Sequence, residues 1–162
     1  MSDFEEKLEN ALARGARIRD ARSRQQAVKD LSTEELSRLY TRYRLEFSEF
    51  IEQCLAKMAD RMPGFAHENV VSDRGWGAAI RRDDLSMDGR RTRENLFSRL
   101  EIVVRPPSTY HVLDLSAKGI VRNKEVFQRD HYRKLGDVEP EAFRQLVQQW
   151  ALEYAELYTA QA

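Results

Sequence analysis

The stretch from Leu31 to Met62 constrains this chain more than any other. Ser32 and Glu35 stand three positions apart, the spacing of a capping box that satisfies two orphan amide donors at a helix start. Apolar side chains then recur at Leu36, Tyr40, Tyr43, Phe47, Phe50, Cys54, Leu55, Met58 and Met62. Steps of three and four put them in one stripe along a helix over 32–62. Arg38, Arg42, Glu46, Glu49, Glu52 and Asp60 fall mostly off the stripe, and Pro63-Gly64 ends the helix. Such a stripe must be covered by something.

Upstream, residues 3–30 form a helix with few large apolar groups: Phe4, Leu8, Leu12, Ile18 and Val28. Alanines supply helix propensity, Gly15 interrupts, and Arg14, Arg17, Arg19, Arg22 and Arg24 crowd the middle. This segment cannot bury much alone. It lies across the domain, pairs with a second copy or frays. Residues 1–30 are therefore set apart as an arginine-rich helical arm, and 31–162 as a single α+β domain, with Leu31 placed as a hydrophobic staple.

Beyond Pro63-Gly64 the apolar period changes to two. Val70-Val71, then Trp76, Ala78 and Ile80, give one or two short strands, with glycines at 75 and 77 easing a bend. Residues 85–93 read as a polar loop turning at Gly89. The clearest strand is Asn95 to Arg105, with Leu96, Ser98, Leu100, Ile102 and Val104 on one face and Phe97, Arg99, Glu101, Val103 and Arg105 on the other. After Pro106-Pro107-Ser108 the chain returns from Tyr110 to Ser116. Ala117-Lys118-Gly119 suits a three-residue hairpin loop that sets Ser116 opposite Ile120, Asp114 opposite Arg122 and Tyr110 opposite Val126. Leu113, Leu115, Val121 and Phe127 then share the core face. A last helix starts at Glu139-Pro140-Glu141, with an apolar face of Phe143, Leu146, Val147, Trp150, Tyr154, Leu157 and Tyr158. The expected architecture is α+β: two N-terminal helices, an antiparallel meander of about four strands, and a C-terminal helix packed on one sheet face.

Charge gives no argument for a polyanionic partner, since 27 basic side chains meet 27 acidic ones. Residues 63–135 are mildly basic, with 14 basic and 10 acidic groups, and residues 136–162 are acidic, with 1 against 5. The single cysteine, Cys54, has no partner for an internal disulfide, and neither an apolar signal core nor a membrane-length apolar run is present. A cytoplasmic protein with no membrane partner is the expectation.

Chemistry is hard to assemble from these residues. His67, His111 and His131 are not spaced as ligand pairs, and Cys54 sits in the apolar stripe, so neither metal nor cofactor nor catalytic residues are assigned. Gly75-Trp76-Gly77 lacks the third glycine and lysine of a nucleotide loop. Asp130-His131 points its two side chains to opposite faces of a strand. Asp83, Asp84 and Asp88 do not follow the order of a calcium loop.

Three functional readings follow. The favoured one is a non-enzymatic interaction or scaffold domain that self-associates through the helix over 32–62, with Leu36, Tyr40, Tyr43, Phe47, Phe50 and Leu55 at the contact. A stripe of about 45 Å outruns a strand of about 37 Å, so part of it needs a partner. The second is nucleic-acid or polyanion binding by Arg81, Arg82, Arg90, Arg91, Arg93, Arg122 and Lys124. The third is small-molecule binding or catalysis in a cleft between sheet and helix, lined by Trp76, His111 and His131.

Overall fold

A computed structural model describes residues 3–29, 32–87 and 93–161. The chain divides into two compact units at Leu36/Ser37. The first holds helix α1 (Asp3–Lys29) and the opening turn of helix α2 (Thr33–Arg61). Asp3, Glu5 and Glu6 occupy the first turn of α1, where carboxylates complement the helix dipole, and Lys7 reaches back to Asp3 at 3.0 Å. At the start of α2, Ser32 Oγ accepts a hydrogen bond from the Glu35 amide at 3.2 Å, the donor satisfaction that the Ser-x-x-Glu spacing predicts. The staple residue Leu31 lies outside the described residues.

The second unit is an antiparallel sheet with two helices. Its strands are β1 (Ala66–Ser72), β2 (Gly75–Met87), β3 (Arg93–Val104), β4 (Val112–Val121) and β5 (Lys124–Lys134), paired in the order β1-β2-β3-β4-β5. Helix α3 (Pro140–Gln161) follows a 3-10 turn at Leu135–Asp137, with proline at the first helical position where its missing donor costs nothing. There are five strands rather than four, because Val70-Val71 and Trp76–Ile80 belong to separate strands joined by a tight hairpin at Asp73-Arg74.

One sheet face is dry. Ala78, Ile80, Leu100, Ile102, Val104, Leu113, Leu115, Val121 and Phe127 are buried there, at alternate positions along their strands. Both helices supply the cover. Tyr40, Tyr43, Phe47, Ile51 and Leu55 of α2 are buried, as are Phe143, Val147, Trp150, Tyr154 and Tyr158 of α3. The helices meet where the Phe47 and Phe143 rings lie 5.4 Å apart, and Glu46 pairs with Arg144 beside them. The tyrosine hydroxyls of Tyr40 and Tyr154 donate to main-chain carbonyls of Arg105 and Ile120, so each buried phenol keeps a partner.

The β4–β5 hairpin turns elsewhere than the sequence suggests. Ala117-Lys118-Gly119 is strand, and the loop is Arg122-Asn123, flanked by the pair Val121↔Lys124. Both loop residues have positive φ, 48° and 71°, which is the backbone a two-residue hairpin of type I′ requires. Asn123 tolerates that region and anchors it: its Oδ1 accepts from the Phe97 amide and its Nδ2 donates to the Asn95 carbonyl. Ser116 therefore faces Asp130 and Asp114 faces Tyr132, not Ile120 and Arg122. Tyr110 belongs to the β3–β4 connection, so it faces no strand partner at Val126.

Candidate interaction surface

The stripe of α2 is largely enclosed by its own unit. Tyr40, Tyr43, Phe47 and Leu55 are buried; Phe50 is half-buried, as is Leu36 in the first unit. The expected overhang follows from a strand of eleven residues, 95–105, about 37 Å long. Strand β2 has 13 residues and α2 has 29, so both reach about 44 Å and the mismatch closes.

Helix α1 is the opposite case. Phe4 is 71% exposed, Leu8 46%, Leu12 65% and Ile18 55%. At 100° per residue these four, with Ala11 and Gly15 between them, fall within about a third of the helix circumference. The same face continues toward the C-terminal end as an open groove of about 410 Å³ lined by Gly15, Ile18, Arg19, Arg22, Ser23 and Gln26. Here lies the exposed apolar stripe on a long helix that the sequence leads one to look for on α2. Its weak but regular spacing was visible in residues 4–18; the arginines around it obscured the pattern.

Among the described residues, Arg81, Arg82, Arg122 and Lys124 do not share one sheet face. Arg81 lies over the Phe97 ring at 4.6 Å and donates to both oxygens of Asp83. Hydrogen bonds from Asn95 and Arg81 hold the Asp83 carboxyl below its usual range. Arg82, on the other sheet face, donates to Asp84 at 2.9 Å and to the Pro63 carbonyl at 2.7 Å. Arg122 and Lys124 are exposed at the β4–β5 turn. Arg90, Arg91, the turn residue Gly89 and Asp88 lie outside the described residues, as does the Arg93 side chain.

Other arginines on the outer sheet face are likewise matched with carboxylates. Arg99 bridges Glu68 and Glu101, Arg74 also takes Glu101, and Arg105 spans Asp130 and Asp114. Burial and the neighbouring Asp130 raise the Asp114 carboxyl, with Arg105 and His131 opposing. An apolar cluster of Val70, Ala79 and Val103 is buried on the same face.

Two residues of the expected cleft, Trp76 and His131, stand in one cross-strand row with Val104 and Leu115 between them, and each makes a contact of its own. Trp76 lies under the Arg44 guanidinium at 4.6 Å, and the His131 ring meets Phe143 edge-on at 5.2 Å. Burial lowers the His131 imidazole, Arg133 adds to the effect, and Asp114 opposes it. Cys54 is half-buried with its thiol raised by burial. Among the described residues no group of three or more His, Cys, Asp or Glu side chains is placed to hold a metal ion, and no helix is long and apolar enough to cross a membrane. Compared with protein-family models, curated proteins and solved structures, the chain matches none.

Proposed function

We propose that this is a non-enzymatic interaction protein that associates with itself, and that the surface it uses is α1. The observation that carries the reading is the exposure of Phe4, Leu8, Leu12 and Ile18 along one face of a 27-residue helix. A lone helix in water is marginal, and most helical stability comes from packing an amphipathic face. Pairing through the α2 stripe instead would require opening a core that already encloses Tyr40, Phe47 and Leu55. A reducing, cytoplasmic setting suits the single thiol.

Sedimentation of the full chain from about 1 to 100 μM tests the reading. A concentration-dependent dimer is expected, and Leu8→Glu with Leu12→Glu should return it to monomer while unit 2 keeps its unfolding midpoint. A monomer across the whole range refutes it, as does a dimer indifferent to both substitutions.

A further inference from the structure

The charges along α1 are segregated by position. Residues 3–12 carry four acidic side chains and one basic, whereas residues 13–27 carry five arginines and one aspartate. Shape is sorted less sharply. Three of the four large exposed groups, Phe4, Leu8 and Leu12, occupy the first half, and the second holds Ile18 and the open groove that it lines with Gly15 and Ser23.

We infer that two copies of α1 pair antiparallel, each laying its acidic, projecting half into the basic, grooved half of the other. This rests on the self-association argued above and adds its direction. In a parallel pair, acid meets acid, arginine meets arginine, and projection meets projection. Reversal corrects all three at once. Phe4 then comes opposite Ser23 to Gln26, and Leu12 opposite Gly15 to Ile18, which puts the two-fold axis near residue 14. The small residues Ala11 and Gly15 lie beside that axis, where two helix backbones come closest. Arg19 and Arg22 line the groove with aliphatic stems, so their methylenes cover the incoming apolar groups while their guanidiniums face the partner's carboxylates.

Distances between identical spin labels on the two copies separate the arrangements. Ala13 and Ala27 are exposed and point away from the apolar face, so Ala13→Cys and Ala27→Cys, each in a Cys54→Ala background, place labels without touching the contact. Helices are about 10 Å across, so the antiparallel pair sets the labels at 13 about 20 Å apart. At about 1.5 Å per residue, the labels at 27 are then on the order of 40 Å apart or more. Equal short distances at both positions mean a parallel pair and overturn the inference, with self-association intact. A dimer with no short distance at 13 places the contact elsewhere and also overturns it. A monomer by sedimentation, with no label coupling, removes the inference and the proposed function together.

Discussion

Gly77→Ala tests how closely β2 and β3 are pressed together. Gly77 faces Val103 across the β2–β3 ladder. A Cβ added there would stand 2.0 Å from the Ile102 carbonyl oxygen and 2.9 Å from Val103 Cα. Both are main-chain atoms of the neighbouring strand, so no rotamer change relieves the clash. The strands must separate by more than an ångström between Trp76↔Val104 and Ala78↔Ile102, beside the buried Val70, Ala79 and Val103 island. Overpacking a core that can shift costs about 1–3 kcal/mol, and a backbone clash belongs at the top of that range or beyond. At about 3 kcal/mol, a chain of this size should lose about 6–12 °C in Tm. Gly119→Ala is the internal control. Its Cβ would meet ring carbons of Phe127 at 2.9 Å and Tyr154 at 3.0 Å, and those rings can tilt, so about 1–2 kcal/mol is expected. Urea unfolding followed by tryptophan fluorescence and circular dichroism measures both. If Gly77→Ala costs under about 1 kcal/mol, or less than Gly119→Ala, steric reasoning from this strand approach is wrong.

Phe47→Ala removes a fully buried ring that stacks on Tyr43 at 5.8 Å and on Phe143 at 5.4 Å, and should cost about 3–5 kcal/mol in urea unfolding. A loss under about 1 kcal/mol would show that α2 is not part of the core. At Asn123, with φ 71°, glycine keeps the backbone and loses two hydrogen bonds, whereas alanine also takes on left-handed strain of about 1–2 kcal/mol. Stability should therefore rank wild type, Asn123→Gly, Asn123→Ala, and an inverted order of the two variants refutes the turn assignment. Asp114 has its carboxyl raised in the folded chain by burial, so the native state holds that proton at pH values where the unfolded chain has released it. Stability from this group is complete below the ordinary carboxylate range and falls as pH rises through the raised value. Asp114→Asn should therefore gain on wild type as pH increases from about 3.5 to 6, read as the difference in urea midpoint. A difference that shrinks over that window contradicts the direction.

The helices and the dry sheet face were legible because each rests on many residues at one period. Leu100, Ile102 and Val104 alternate, and the stripe of α2 repeats for eight turns. The β4–β5 register was not legible, because a single glycine at 119 outweighed Arg122-Asn123 as a turn signal. Gly119 serves packing instead, where the Phe127 and Tyr154 rings leave no room for a Cβ. The faces survived the mistake. Moving the pairing from Gly119 to beyond Val121 shifted Leu115 from Val121 to His131, ten residues, and an even shift keeps side chains on their own face along the pairs from Val112↔Lys134 to Gly119↔Phe127, up to the bulge at Gly119/Ile120. The proposed contact moves from α2 to α1 for a related reason. A strong stripe identifies a helix that is covered, and α2 is covered by its own sheet; the weak stripe of Phe4, Leu8, Leu12 and Ile18 is the one left exposed.

Zero net charge arises in this chain by two different routes, and they have different reach. On the sheet, Arg81, Arg82, Arg99, Arg105 and Arg129 each stand within 4 Å of a carboxylate of the same unit. At physiological salt the screening length is about 8 Å, so an approaching molecule meets little field from such pairs. Along α1 the opposite charges are sorted into runs of ten and fifteen residues, about 15 and 22 Å long. Those lengths exceed the screening length, and each half presents its own sign. Local pairing on the sheet thus needs no outside partner, whereas the proposed antiparallel pair would set each half of α1 against a run of the opposite sign. High salt should then weaken association through α1 while leaving unit 2 unfolding nearly unchanged. The reverse response would put the working charges on the sheet.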